Sequence, residues 1–431
     1  MNISTPKHSF ILNAFLLLIA STLIFRMPCT VIIICFSFYG LLFHKKLSFT
    51  KGSLKYILII AIPLLLEIVY FWNNDDFYLG IKSLEKSITL LLFPIFIIGN
   101  QKYIKFYSLL KAYSATTTLI LLVFLIRYYF EYNQFFLSFY YGMNMWQMGY
   151  HFANTIGIHA PALNMHLAFV SICNFYFSIS IFKINKNFLL KILHILLFLL
   201  SFILILIINT RIALLGSFIG YFFVIISLSL KNKNIRYLIK TTSIFIFIIS
   251  IILIVFIKNN NFMEQKYNRM IFDKFEMIGK LDKIERPEVE IYSSLVTRLT
   301  IWKSTIDLAN EHLLYGVGSS NSRKELINYY KKTNQKFLLK HQFPVHNQYL
   351  DFLLKFGLLG TLGVLVYIGF IGYIGIKSKN VIVFAFFLLF FLSNLTDDFL
   401  IRFDGIVFSG FWISVFTGYY LKTKKENLIL L

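Results

Sequence analysis

His346 and Asn347 stand where a long polar stretch of the chain gives way to an apolar one. An imidazole can take a proton from a hydroxyl group near neutral pH, so His346 is the first candidate for a general base. Asn347 would orient the imidazole or hydrogen-bond to a polar substrate. Pro344, just ahead of the pair, leaves an alternative in which the histidine caps a helix that begins near Asn347. The pair therefore predicts either acid–base chemistry or a helix start.

Arg211 is the second candidate, since it follows Asn209 and Thr210 in the short break between two apolar runs. An unpaired guanidinium in such a place is costly unless it meets an anion or water. The two runs contain no acidic residue, so the partner is distant in the chain or is a ligand. A diphosphate fits, because a guanidinium donates two parallel hydrogen bonds to phosphate oxygens. An interfacial arginine that extends to the lipid headgroups is the alternative.

Arg298 and Trp302 lie one helical turn apart and would share one face of a helix. Trp302 would pack at a membrane interface there, while Arg298 points towards a headgroup or a diphosphate. Gly316 and Gly318 would allow a tight turn that brings backbone amides close to a ligand. A solvated arginine on an amphipathic helix explains the first pair equally well, and a Gly-x-Gly pattern carries little weight alone.

An acidic pair, Asp397 and Asp398, precedes Arg402 near the C-terminal end of the chain. Either aspartate would pair with Arg211 or Arg402 across a helix bundle, or would orient His346. Ordinary solvated loop aspartates are the alternative.

The remaining histidines do not indicate a metal site. Several are expected on or near the same face as His346, but none has the His-x-x-x-His or carboxylate spacing of a metal centre. We therefore predict neither a metal nor a cofactor. The histidines expected on or near that face are His151, His159, His166, His312 and His341.

The composition defines the setting for these residues. The chain has 431 residues, of which 58% are hydrophobic, and this share exceeds that of soluble domains. It is predicted to be an all-α polytopic membrane protein. Its formal charge of +22 comes from lysines and arginines in short clusters between apolar runs, as the positive-inside rule requires. We therefore expect membrane lipids, and no nucleic acid, as partners.

Twelve apolar runs come near the ~20 residues that a helix needs to cross a bilayer. Alternate connections carry the lysine clusters, so both termini are predicted to be cytoplasmic, and the segments 131–161 and 258–345 to lie outside. Periodicity around Met263 to Ile278 and Ser294 to Leu308 predicts amphipathic helices on the membrane in the longer segment. A disordered charged loop is the alternative. The predicted runs are 10–25, 28–43, 54–72, 84–99, 108–130, 162–182, 189–209, 211–229, 239–257, 357–376, 380–395 and 404–421. The predicted domains are 1–257, 258–345 and 346–431.

Taken in order, these motifs resemble the signature of the O-antigen ligase and polymerase superfamily over residues 205–408. The last motif departs from the pattern, because the branches that carry it usually have Glu where this chain has Asp397. The matching elements are a Ser/Thr-Arg turn at Asn209 to Gly216, Arg298 with Trp302 and Gly316-Val317-Gly318, the His-Asn motif from His346 to Gly360, and an acidic-then-Arg element at Thr396 to Phe408.

The resemblance implies a GT-C-like glycosyltransferase of the bacterial inner membrane, with its active site on the periplasmic face. Arg211 and Arg298 would hold the diphosphate of a polyprenyl-linked glycan without a metal, and His346 would activate the acceptor hydroxyl group. Attack on the anomeric carbon would then invert its configuration. We expect a lipid A-core sugar as acceptor, which makes an O-antigen ligase. The residues expected to bind substrate are Asn347, Trp302, Gly316, Gly318, Asp397 and Arg402.

Three alternatives stay open. A second carrier-bound glycan as acceptor would make the protein a polymerase, and a Ser or Thr hydroxyl group would make it a protein O-glycosyl ligase. A transporter or flippase, from another class, predicts charged residues deep inside several spans and helices broken near the midplane. The charges of this chain cluster instead at the ends of the runs, apart from Glu67, whose place inside the third run the sequence does not explain.

Overall fold

The computed structural model describes residues 4–140, 145–184, 187–230, 274–284 and 294–429, together with isolated positions between 243 and 258 and position 287. Every regular element in these residues is helical, which confirms the all-α fold. The α-helices are α1 (Thr5–Thr22), α2 (Arg26–Leu42), α3 (Ser53–Ile60), α4 (Ile62–Val69), α5 (Phe77–Ser87), α6 (Thr89–Gly99), α7 (Phe106–Glu131), α8 (Asn133–Tyr140), α9 (Met145–Ile156), α10 (Ala160–Ile184), α11 (Phe188–Ile208), α12 (Arg211–Leu230), α13 (Ser294–Asn310), α14 (Ser322–Lys332), α15 (Lys336–His341), α16 (Gln348–Lys377), α17 (Val381–Thr396) and α18 (Phe403–Ile429).

Five of the described helices are long and apolar enough to cross a membrane: α7, α10, α11, α12 and α16. Two shorter apolar helices, α2 and α17, accompany them. These helices agree with a polytopic membrane protein, while the number of twelve spans stays a prediction. The ninth predicted run, 239–257, lies outside the described residues except at isolated positions.

Two predicted runs are divided into shorter helices. The run 54–72 becomes α3 and α4, which meet at Ala61, and Pro63 in the first turn of α4 has no N–H to continue the earlier ladder. The run 84–99 begins earlier than expected, because Asp76 caps α5 by accepting a hydrogen bond from the amide of Leu79 at 2.9 Å.

Helix α10 occupies the centre of the bundle. In an apolar stretch of 18 residues of this helix, 83% of the residues are buried, whereas the share in the corresponding stretch of α7 is 39%. Polar side chains at such a depth must find partners inside the protein. Asn174 does so by donating hydrogen bonds to Thr118 and Ser201.

The described part of segment 258–345 folds around a hydrophobic core of its own. Helix α13 agrees with the helix predicted from Ser294 to Leu308, whereas most of the helix predicted around Met263 to Ile278 lies outside the described residues. We call α13, α14 and α15 with their connections the loop subdomain. Its buried core members include Val296, Ile301, Leu308, Leu326, Tyr330, Leu338 and Val345, with Leu354 contributed by α16.

The loop subdomain is joined to the bundle at a break in α16. Gly357 interrupts that helix with φ 66° and ψ −155°, a conformation open to glycine alone. The break frees backbone groups, and the loop 313–318 binds them. The amide of Val317 donates to the carbonyl of Leu354 at 2.8 Å, that of Gly318 to Lys355 at 3.1 Å, and Leu358 donates to Leu313 at 2.8 Å.

This junction corrects the expected role of the Gly-x-Gly turn. The amide of Gly318 donates to the broken helix, and that of Gly316 to the carbonyl of His312, so neither is offered to a ligand. Both glycines have positive φ, and a Cβ atom would overlap Lys355 in one case and Asn73 in the other. The structure therefore uses the two glycines for close packing of the loop subdomain against the bundle.

Candidate active site

His346 lies immediately before α16 with φ 50°, an uncommon left-handed conformation for a residue other than glycine. Asn347 is the cap of that helix, since its Oδ1 accepts from the amides of Tyr349 and Leu350 at 3.0 and 3.1 Å. Its Nδ2 donates to the carbonyl of Leu395 at 3.1 Å. Asn347 thus ties the start of α16 to the end of α17, and the imidazole beside it is left out of the capping.

Asp397 ends α17 directly opposite His346. The Nδ1 atom of the imidazole lies 3.4 Å from Oδ1 of this carboxylate, and the two side chains are 22% and 5% exposed. A proton on Nδ1 satisfies this hydrogen bond and leaves the lone pair of Nε2 available to accept another proton. Of the expectations for Asp397, the geometry agrees with the one in which it orients His346.

A second histidine, His159, shares the same carboxylate. Its Nδ1 lies 3.8 Å from Oδ2 of Asp397 and has no hydrogen-bond partner among the described residues. Burial and the neighbouring Arg402 lower the pKa of His159 to about 4, which keeps its imidazole neutral at pH 7. The sequence placed this residue near the outer face, but no motif spacing linked it to Asp397.

Asp397 and Asp398 differ in their protonation. Burial acts to raise the pKa of Asp397, but its interactions with His346 and Asp398 outweigh burial and hold that pKa below the usual value. Burial and the adjacent Asp397 carboxylate raise the pKa of Asp398 well above the usual value. Neither side-chain oxygen of Asp398 has a hydrogen-bond partner among the described residues. The pair therefore holds one carboxylate and one group that favours its neutral form.

The predicted arginines converge on this pair from distant parts of the sequence. Arg298 lies within electrostatic range of both aspartates and of Arg211. Burial lowers the pKa of Arg298, although a guanidinium stays charged under such a shift. Arg402 interacts electrostatically with Asp398 and His159. The site accordingly combines a histidine and an aspartate with several cations.

Trp302 supports the unusual backbone of His346. Its indole N–H donates to the carbonyl of His346 at 3.3 Å. Arg298, one turn earlier on α13, lies on the same helix face and reaches the same aspartates. The two residues therefore share one helix face as expected, and the contact of Trp302 with His346 adds a link to the site, while its packing at a membrane interface stays a prediction.

Asn164 fixes the turn that presents Arg211. Helix α11 ends at Asn209 with φ 62°, and α12 begins two residues later with Arg211. Asn164 of the buried α10 donates to the hydroxyl oxygen of Thr210 at 2.7 Å. No sequence pattern predicted this contact, because the two residues are 46 positions apart. An asparagine inside an apolar run was the only available signal.

His346, Asp397 and Asp398 have potential ligand atoms within 4.8 Å of one another. Imidazole and carboxylate together suit zinc or manganese. Arg298 and Arg402 interact with the same aspartates, and their charges oppose an added divalent cation. The expectation of no metal stays a prediction.

Residues 196–365 match the family model described as O-antigen ligase. Over these residues the chain is similar to the O-antigen ligase family. No curated protein matches the chain. The family indicates a membrane glycosyltransferase of the ligase or polymerase type.

The matched region contains only part of the candidate site. Within it lie Arg211, Arg298, Trp302 and the His346-Asn347 pair. Outside it lie His159, Asp397, Asp398 and Arg402, which the fold brings to the same place. The carboxylate next to His346 is therefore contributed by a part of the chain that the family match does not cover.

Proposed function

We propose that the protein is an inverting, metal-independent O-antigen ligase. It moves a glycan from polyprenyl diphosphate to a sugar hydroxyl group of lipid A-core, on the periplasmic face of the bacterial inner membrane. The observation that carries the proposal is the hydrogen bond between His346 and Asp397, set among arginines. The family match supports the ligase class.

The donor is held by cations in this proposal. Arg211 and Arg298 bind the diphosphate, since two guanidinium groups match its oxygens in geometry and charge. The leaving lipid diphosphate gains negative charge as the glycosidic bond breaks, and fixed cations stabilise that charge in the transition state. Arg402, which interacts electrostatically with Asp398, adds to the positive field.

The acceptor is activated by His346. Its Nε2 takes the proton of the acceptor hydroxyl group while the oxygen attacks the anomeric carbon from the face opposite the diphosphate. A new glycosidic bond forms, the bond to the diphosphate breaks, and the imidazolium keeps the proton until solvent removes it. Asp397 stabilises that imidazolium through Nδ1.

One observation favours the transporter alternative: α16 is broken at Gly357, with the buried residues Asp351 and Lys355 just ahead of the break. Transporters with broken helices turn the free helix ends towards a substrate cavity. Here the carbonyls of Leu354 and Lys355 accept hydrogen bonds from the loop subdomain, so protein already occupies that position. The break is therefore better explained as a joint between the bundle and the loop subdomain.

Transfer in proteoliposomes tests the proposal. Polyprenyl diphosphate glycan is supplied with lipid A-core or without a second acceptor, and the native chain is compared with His346→Ala and Arg211→Ala. We expect glycan on lipid A-core, loss of transfer in both variants, and no effect of a chelator. His312→Ala is the matched control, because His312 lies in the loop subdomain away from Asp397.

Each other outcome contradicts the proposal in a different way. Longer carrier-bound chains in the absence of lipid A-core would identify a polymerase. Glycan that changes leaflet without forming a new bond would identify a transporter. Loss of transfer on chelation would assign the His346, Asp397 and Asp398 group to a metal.

A further inference from the structure

A cavity of about 240 Å³ lies behind the candidate active site. Its walls come from α4, α5, the start of α14, the first turns of α16 and the turn after α17. Pro344 and Val345 line it, but His346 does not. Asp398 is the residue that the cavity shares with the surroundings of Asp397. The cavity is therefore a neighbour of the reacting groups and not part of them.

The polar groups of the cavity are of two kinds. Glu67 accepts a hydrogen bond from the hydroxyl of Ser319 at 2.9 Å, and Ser319 lies 3.0 Å from the hydroxyl of Ser83. Lys355 donates to Asp351 at 2.7 Å, with both side chains buried. Replacing a buried ion pair by apolar residues is often neutral or stabilising, so stability does not explain why charges line this cavity. Their place beside serine hydroxyl groups indicates a polar ligand.

The wall carries acidic and basic side chains together. Three acidic residues, Glu67, Asp351 and Asp398, face three basic ones, which are Lys86, Arg323 and Lys355. A ligand without net charge that offers many donors and acceptors would use both sets. Apolar side chains such as Phe352 and Leu400 complete the wall, as in sites that bind small molecules.

Asp398 shows that the wall is incomplete without a ligand. The residue is 1% exposed, and neither of its carboxyl oxygens has a hydrogen-bond partner among the described residues. Buried polar groups in native proteins are nearly always hydrogen-bonded. A hydroxyl group in the cavity would supply the missing donor.

We propose that this cavity binds one uncharged sugar residue of a glycan substrate, with Asp398 and Glu67 accepting hydrogen bonds from its hydroxyl groups. The ligand class rests on the proposed function, because a glycan must then lie against this part of the protein. The sugar belongs either to the transferred glycan or to the accepting one. In both cases the bound sugar lies close to the reacting groups, because Asp398 lines the cavity and directly follows Asp397 in the chain.

Protection of an introduced thiol measures occupancy of the cavity. Ser83→Cys places a thiol in the wall, with Cys35, the exposed native cysteine, replaced by serine. The full chain in detergent is labelled with a small methanethiosulfonate reagent. Four probes are compared: oligosaccharide released from the carrier by mild acid, core oligosaccharide released from lipid A, inorganic diphosphate and manganese chloride. Ser322→Cys, on another wall, repeats the measurement independently.

We expect one of the two oligosaccharides to slow labelling, and which one does so identifies the source of the sugar. Glu67→Ala or Asp398→Ala should raise the half-protecting concentration about tenfold, because each removes the acceptor of a hydrogen bond from the sugar. Asp75→Cys, an exposed thiol outside the cavity, should be labelled at the same rate with and without sugar.

Protection by diphosphate or manganese alone, by neither oligosaccharide, or thiols that never react would overturn the assignment. The test is separable from that of the proposed function. Protection without glycan transfer would leave the sugar site standing and remove the ligase. Glycan transfer without protection of the thiol would leave the ligase proposal standing and remove the sugar site.

Discussion

Removing the negative charge of Asp397 while keeping its shape isolates the role of the histidine–aspartate pair. In the Asp397→Asn variant an amide group faces Nδ1 of His346, so the imidazole loses both a charged acceptor and the bias towards the tautomer that leaves Nε2 free. A hydrogen bond to a charged group is worth about 1.5–3 kcal/mol, and 1.36 kcal/mol corresponds to a tenfold change in rate. We therefore expect kcat to fall about 10- to 100-fold. The separation of 3.4 Å is long, which favours the lower end.

The assay is single-turnover transfer to lipid A-core at saturating donor and acceptor, with KM measured separately. KM for the donor should change little, since Asp397 contacts His346, whereas the diphosphate is assigned to Arg211 and Arg298. Asp397→Glu, which keeps a carboxylate, should retain more activity than the asparagine variant, and Asp75→Asn on an exposed loop should be silent. A folded Asp397→Asn protein that transfers glycan at the native rate would refute the assigned role.

Three further variants test the surrounding structure. Asn347→Ala removes the cap of α16, so the free energy of unfolding should fall by about 1–2 kcal/mol and Tm by a few degrees in thermal unfolding. An unchanged Tm would contradict the capping role. Trp302→Phe keeps an aromatic ring but loses the N–H group that donates to the carbonyl of His346, so kcat should fall about threefold to tenfold at unchanged Tm. A kcat equal to that of the native chain would show that this hydrogen bond does not position the histidine. Asp398→Asn should stabilise the protein increasingly as pH rises. The reason is that folding raises the pKa of this carboxyl group, so its tendency to ionise destabilises the fold at pH values above the ordinary pKa of about 4. This cost grows by up to about 1.4 kcal/mol per pH unit until the pH reaches the pKa of the folded state. A Tm difference from the native chain that shrinks between pH 5 and pH 8 would contradict the raised pKa.

The sequence was most informative about the candidate site at positions where the residue type allows few structural roles. A histidine or an arginine at the edge of an apolar run has few explanations, and His346, Arg211 and Arg298 indeed come together with Asp397. Apolar runs likewise predicted helices, because the period and length of a run are local properties. The Gly-x-Gly turn misled, since glycine serves close packing and ligand approach equally well, and only the neighbouring Lys355 backbone distinguishes the two.

Contacts between distant residues could not be predicted from the sequence alone. His159 meets Asp397 across 238 positions, and nothing in either local pattern specifies the other. Glu67 seemed unexplained inside an apolar run because its partner Ser319 lies 252 positions away. The predicted apolar run begins at 357, where the break lies, because Gln348, Asp351 and Lys355 interrupt the apolar pattern over the first turns of α16. Each of these features depends on tertiary packing.

The most direct test of the central claim is the pH dependence of transfer by His346→Gln, which keeps a polar side chain without a titratable ring. Imidazoles in general change charge between about pH 5 and pH 8, and only the neutral form can accept the proton of a hydroxyl group, so transfer that depends on one should rise over this range. The variant should retain a small residual rate that does not depend on pH over this range. A residual rate close to the native one, with the same rise, would show that another group removes the proton and would contradict the account.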